Sequence, residues 1–154
     1  MENIFFYNTK LGKIAIIENG QEITHIEIAE DKYPEEIQIC ETELTKKAFT
    51  QLEEYFEGKR KCFELPLNPK GTEFQKKVWK ALCDIPYGET RSYKDVAIAI
   101  NNPKGPRAVG MANNKNPIMI VIPCHRVVGS NGSLVGYAGG LHIKEKLLSI
   151  EKEN

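Results

Sequence analysis

The sequence is poor in cysteine, holds a single tryptophan and has no long apolar run, and each scarcity narrows what the chain can be. The four cysteines are Cys40, Cys62, Cys83 and Cys124, with no CxxC pair and gaps too wide for a common zinc spacing. Each thiol is therefore read as free, and no metal or other cofactor is expected. No stretch approaches the ~18 apolar residues that span a bilayer. The opening MENIFFYNTK lacks the basic start and long apolar core of a secretion signal. The expectation is a monomeric, soluble protein of the cytoplasm, or of the nucleus in a eukaryotic source, with no membrane partner.

Net charge is also missing, because 21 Lys/Arg balance 21 Asp/Glu. The balance hides an asymmetry. Residues 1–69 carry 8 Lys/Arg against 14 Asp/Glu and residues 70–154 carry 13 against 7, so a half of −6 is followed by a half of +6. The second half is the part suited to a polyanion. The chain, at 154 residues, is long enough for one ordinary domain or two small ones.

KIAIIENGQEITHIEI places two β-branched runs around Asn19-Gly20, a dipeptide that supplies the positive φ angles of a tight hairpin. With IFFY before it, this predicts an antiparallel sheet. Leu44, Ala48, Leu52 and Tyr55 or Phe56 recur at helical spacing, and Gly58 stands where that helix would end. The loop KCFELPLNPKG coincides with the change of charge sign, so the domains are expected at 1–65 and 66–154.

In the second half, Thr72 with Gln75 and Ser92 with Asp95 stand in the register of helix starts. Pro106 opens a further short helix, PRAVGMANN, at a position where its missing N–H does no harm. Two short helices joined by a glycine-containing turn outline a helix-turn-helix. The second has one arginine, Arg107, and no row of Asn, Gln or Arg suited to major-groove readout. PIMIVIP reads as a buried strand, Ile118 to Ile122, that ends abruptly at Pro123. The last helix carries Ile143, Leu147 and Ile150 on one stripe, with Glu151 at its border, where a carboxylate needs a partner.

IPCHRV, residues 122–127, sets a cysteine beside a histidine at the end of that apolar run. Such a pair serves as a nucleophile with its base, as half a metal site, or as two adjoining core residues. A thiol reacts as thiolate and is only slightly ionised at neutral pH, so a histidine oriented by a carboxylate is the usual activator. Cys124, His125 and Glu151 form one possible relay; His25 and His142 are weaker candidates for the base.

NPIMIVIPCHRVVGSNGSLVGYAGG, together with SYKDVA and NPKGPRAVG, closely resembles the O6-alkylguanine-DNA alkyltransferases. The resemblance is dense from about residue 70 onward and weak before it. It implies an α/β (α+β) fold, with a ribonuclease H-like sheet-and-helix domain followed by a mainly helical domain containing the helix-turn-helix. It also implies a single irreversible transfer of the alkyl group from O6-alkylguanine, and less efficiently O4-alkylthymine, in double-stranded DNA to Cys124. His125 would activate the thiol through a water, Glu151 would orient His125, and Asn116 would act as a hinge behind the reactive segment.

By the same resemblance, Tyr93, Tyr137, Val127, Ala138, Gly139 and Met119 would line the base pocket. Gly105, Pro106, Arg107, Ala108 and Gly110, with Arg126, would meet DNA through the minor groove, Arg107 taking the place of the flipped base. Two departures from better-known members stand out. Ala138 replaces a serine that often donates to O6, and Met119 replaces a proline found in members with a broad pocket. Two other functions fit the residues: a DNA protein that binds lesions without repairing them, and a thiol hydrolase acting on an acyl substrate.

Overall fold

The computed structural model describes residues 1–137 and 140–154 and divides the chain into two compact units, Met1–Pro69 and Lys70–Asn154. Composition alone put the change near residue 66. Residues 66–68 instead belong to the first unit, where Ile23 donates to Pro66 O at 2.8 Å and Asn68 donates to Ile23 O at 2.8 Å.

The first unit is built on a four-stranded mixed sheet in the order β3-β2-β1-β4. Strands β1 (Asn3–Thr9), β2 (Gly12–Glu18) and β3 (Ile23–Ile28) are antiparallel neighbours, and β4 (Gln38–Ile39) adds in parallel to β1. Alternate side chains of β2 serve opposite faces, and both sets are buried: Ile14 and Ile16 on one side, Ala15 and Ile17 on the other with Ile4. The connection around Asn19-Gly20 is longer than a two-residue turn. Gly20 has φ +98°, while the Asn19 side chain accepts from the N–H groups of Gln21 and Glu22 at 3.0 and 2.8 Å, and the ladder shifts register at Ile17/Glu18. An Asx turn has replaced the expected hairpin geometry. Helix α1 (Glu43–Phe56) starts on a capping box between Thr42 and Thr45, buries Ala48, Leu52 and Tyr55, and stops at Gly58, φ +76°.

The second unit is mainly helical. Its elements are α2 (Glu73–Cys83), β5 (Arg91–Ser92), α3 (Tyr93–Ala99), α4 (Pro106–Asn114), a 3-10 turn at Cys124–Arg126, β6 (Val127–Val128) and α5 (Leu141–Glu153). Both capping boxes read from the sequence are formed, Thr72 with Gln75 and Ser92 with Asp95. Helices α3 and α4 are the helix-turn-helix. Trp79 on α2 is buried and donates its indole N–H to Ala112 O on α4 at 2.9 Å. Gly71 lets the chain pass close to that ring, since a Cβ there would lie 2.5 Å from the indole edge.

The run 118–122 is buried as expected, with Val121 only partly so, but it is not a strand. It folds into consecutive turns, with Val121 donating to Met119 O at 2.8 Å and Ile122 to Ile118 O at 3.1 Å. Ile120 has φ +72°, a conformation that a β-branched residue adopts only under strain, at a cost of order 1–3 kcal/mol. Hydrophobicity recorded the burial, but a continuous apolar run carries no period that separates strand from turn. No helix among the described residues is long and apolar enough to cross a membrane.

Candidate active site

Short pairing of β5 with β6 brings Arg91–Ser92 alongside Val127–Val128, so the chain leaving Cys124 runs beside the start of α3. Tyr93, the first residue of α3, is thereby drawn to the cysteine, and its phenol feels the Cys124 sulfur. Cys124 itself is 5 % exposed at the start of the 3-10 turn. Its carbonyl accepts from the buried Asn113 amide of α4 at 3.3 Å, so the helix-turn-helix and the cysteine share a main-chain contact.

Asn116 holds the strained segment from behind. Its side-chain N–H group donates to Ile122 O at 2.8 Å and to Ile118 O at 3.3 Å, while its carbonyl accepts from Ile118 N–H at 3.0 Å. One amide thus closes the turns that deliver Pro123 and Cys124.

Burial pushes the Cys124 thiol above its ordinary pKa, and the Asn116 amide, the Lys144 charge and the Tyr137 hydroxyl pull in the opposite direction. Desolvation prevails, so the resting group is a neutral thiol that needs a base.

His125 is fully buried, and its Nε2 lies 2.5 Å from Glu151 Oε2 on α5. Burial lowers its pKa, against the pull of Glu151 and with the help of the Arg126 charge. A neutral ring facing a carboxylate donates from Nε2, which leaves Nδ1 as the basic nitrogen.

Glu151 is the most heavily bonded group of the site. Besides His125, it accepts from Arg126 Nε at 2.8 Å, from Arg126 Nη2 at 3.1 Å and from Gly88 N–H at 3.1 Å. Arg126 donates its remaining nitrogen, Nη1, to Ile85 O at 2.8 Å and lies over the Tyr87 ring, 5.6 Å from its centroid. This corrects one expectation: Arg126 is 6 % exposed and turned inward, so it is the counter-ion of Glu151 and not a DNA contact. A basic residue beside a Cys-His pair suggests phosphate binding from sequence, but a buried carboxylate requires a cation more strongly.

The remaining residues separate into two groups. Val127 and Met119 are buried, Tyr137 is half-buried with its hydroxyl on the Cys124 side, and Tyr93 donates to Val135 O at 2.9 Å. Arg107 and Ala108 lie on the exposed face of α4, and Gly105, Pro106 and Gly110 are partly exposed along it. Ala138 and Gly139 lie outside the described residues. Among the described residues, no group of three His, Cys, Asp or Glu side chains is placed to hold a metal ion.

Lys144 is a member of the site that sequence reading missed. It is buried on α5, three residues before Leu147 and seven before Glu151, so its position on the apolar stripe was an available signal.

Two family models match the chain. The 6-O-methylguanine DNA methyltransferase ribonuclease-like domain matches residues 5–69, and the DNA binding domain of the same family matches residues 73–153. A methylated-DNA--protein-cysteine methyltransferase of Methanosarcina barkeri is 52% identical over 147 residues, covering 94% of this chain and 93% of the relative. The constitutive enzyme of that name from Bacillus subtilis is 48% identical over 151 residues, covering 94% and 92%. The crystal structure of Mycobacterium tuberculosis OGT in complex with DNA superposes with a TM-score of 0.92 at 40% identity, covering 98% of this chain and 93% of that one. With the cysteine, its histidine and their buried carboxylate assembled in the second of two matching domains, the chain belongs to the 6-O-methylguanine DNA methyltransferase family.

Proposed function

We propose that this protein repairs DNA by direct reversal, moving the alkyl group of O6-alkylguanine, and less efficiently of O4-alkylthymine, onto Cys124 in one irreversible turnover. The observation that carries the reading is the buried Cys124 followed by a histidine whose outer nitrogen is fixed on Glu151. His125 Nδ1 takes the thiol proton through a water, and the thiolate attacks the alkyl carbon in line. The S–C bond forms as the C–O6 bond breaks, and guanine leaves with the electron pair and regains a proton. The alkyl group has moved from oxygen to sulfur and a hydrogen from sulfur to guanine, which leaves a thioether that no group of the site hydrolyses.

The Glu151–Arg126 pair supports this role for His125. A lone carboxylate would favour the imidazolium, whereas a carboxylate already paired with a guanidinium orients the ring and leaves it neutral, as a base must be.

The lesion must leave the stack to reach a buried sulfur, at a cost of a few kcal/mol. Arg107, exposed on α4, fills the vacated space, since a planar guanidinium stacks on bases and hydrogen-bonds the orphaned partner. Gly105, Pro106, Ala108 and Gly110 give α4 the low relief that suits a minor groove. Tyr93 crowds the target phosphate and turns its hydroxyl from Val135 O to donate to the base, Tyr137 packs against it, and Val127 offers main-chain groups to its edge. With Ala138 in place of a serine, O6 is met by main-chain N–H groups or a tyrosine hydroxyl. Met119 narrows the pocket for bulky groups. Asn116 acts as the hinge behind Cys124. The protein acts as a monomer, in the cytoplasm or in a eukaryotic nucleus.

Peptide mapping after reaction with duplex O6-methylguanine tests the assignment. The methyl should be found on Cys124 and not on Cys62 or Cys83, which are both exposed. Methylation that follows exposure instead would reject it.

A further inference from the structure

Helix α4 turns one polar side chain into the core. Asn113 is 1 % exposed, and its Nδ2 donates to Cys124 O at 3.3 Å. The carbonyl oxygen of the same amide, Oδ1, is shut from solvent and meets no donor among the described residues. Three positions on, Asn116 shows the contrast, since both ends of its amide are bonded to main-chain groups. A buried acceptor without a donor is costly, and folded proteins keep few of them.

The place of the unbonded oxygen narrows what can satisfy it. Oδ1 and Nδ2 share one carbon, so Oδ1 stands beside the main chain of the residue that is to meet the alkyl group. Cys124 is itself only 5 % exposed, and a base whose O6 substituent reaches its sulfur enters the same enclosed space.

O6-alkylguanine brings a single N–H donor group to that space. Alkylation at O6 leaves N1 without hydrogen, and N3 and N7 are acceptors, so only the 2-amino group donates. O4-alkylthymine brings none, because its N3 has lost its hydrogen in the same way.

We infer that Asn113 is a specificity residue for guanine: its Oδ1 accepts a hydrogen bond from the 2-amino group of the flipped base while its Nδ2 keeps the Cys124 carbonyl. This rests on Cys124 being the alkyl acceptor. The amino group has two hydrogens, so one remains for the main-chain groups at Val127. Guanine satisfies the acceptor, whereas O4-alkylthymine leaves it as unbonded as it is in the free protein. A pocket that hydrogen-bonds one substrate discriminates against an analogue lacking that group.

The test measures second-order rates of methyl transfer, at limiting duplex, for lesions that differ at one base. They are O6-methylguanine, O6-methylhypoxanthine, which is the same base without its 2-amino group, and O4-methylthymine. Asn113→Leu and Asn113→Ala remove the acceptor, and Asn113→Asp retains one while losing the donor to Cys124 O. The ratio of methylguanine to methylhypoxanthine rates should fall on the order of tenfold in the Leu and Ala variants. It should stay near that of the parent in the Asp variant, although every substrate reacts more slowly there. The ratio of methylguanine to methylthymine rates should follow the same pattern. Each ratio compares the same duplexes in every protein, so unequal costs of extruding the bases cancel.

An asparagine that only supports the fold would slow all lesions alike. Ratios unchanged in the Leu and Ala variants, or lost as far in Asp as in Leu, therefore overturn the assignment. Trp79 emission and urea denaturation establish that each variant is folded; if neither Leu nor Ala is, Asn113→Ser, whose hydroxyl is too short to reach the base, takes their place. Methyl transfer from none of the duplexes by the parent would refute the alkyl-transfer reading itself. Transfer to Cys124 with ratios indifferent to residue 113 would remove the Asn113 assignment alone.

Discussion

Replacing Arg126 with methionine separates two readings of the residue that follows the Cys-His pair. The side chain makes three hydrogen bonds, two to Glu151 at 2.8 and 3.1 Å and one to Ile85 O at 2.8 Å, at 6 % exposure. Methionine fills similar space but takes the guanidinium and its two hydrogen bonds away from the Glu151 carboxylate. Breaking a buried pair in this way costs about 3–5 kcal/mol, a large part of the ~5–15 kcal/mol that stabilises an ordinary domain. The remaining carboxylate would also draw a proton onto His125, the proposed base. Urea denaturation followed by Trp79 emission should show the loss, with slower methyl transfer and unchanged affinity of the folded protein for undamaged duplex. In an Arg126→Met/Glu151→Gln double variant, the losses should be less than additive, since the two side chains share one interaction. Unchanged stability with weakened duplex binding would refute the counter-ion reasoning and return Arg126 to the DNA surface.

Three further outcomes are expected. Asn116→Ala removes three hydrogen bonds that close the turns before Cys124, and denaturation should report a loss of about 2–4 kcal/mol; Asn116→Asp, which puts a negative charge beside Cys124, should slow transfer further than it destabilises. Arg107→Ala, on an exposed face, should leave stability within about 0.5 kcal/mol but reduce methyl transfer, with Arg107→Lys a poor substitute. Because burial holds the His125 pKa below that of a free histidine, the native protein binds fewer protons than the unfolded chain near pH ~6.5 and below. Its contribution to stability is then complete above that value and is lost on acidification, so denaturation midpoints should fall more steeply with acid in the parent than in His125→Gln.

The parts of the fold legible in the sequence were those governed by local rules. Thr72 with Gln75 and Ser92 with Asp95 gave two helix starts because a capping box is complete within four residues. The Gly58 stop needed only a left-handed backbone. The turns at 118–122 were read as a strand because burial alone does not set the backbone path, and the Asn116 amide that bends it acts across six residues. In the site, the apolar stripe of α5 places Glu151 at the core border, where His125 is the partner the sequence names and the countercharge stays unnamed. That countercharge, Arg126, lies 25 residues away in sequence, and only the fold brings it to Glu151. Lys144 sat on the same stripe but carried no motif, since its partners are main-chain carbonyls that any sequence could supply.

The central claim, that Cys124 is a stoichiometric alkyl acceptor, is tested most directly by intact-protein mass after mixing equimolar protein and duplex carrying one O6-methylguanine, beside a Cys124→Ser variant. The account predicts one methyl gained by the parent alone, guanine restored in the DNA, and no further turnover when more duplex is added. Duplex bound with no gain of mass would contradict it and make the protein a lesion binder with an inert Cys-His pair. Turnover of an acyl substrate without DNA would point instead to a thiol hydrolase.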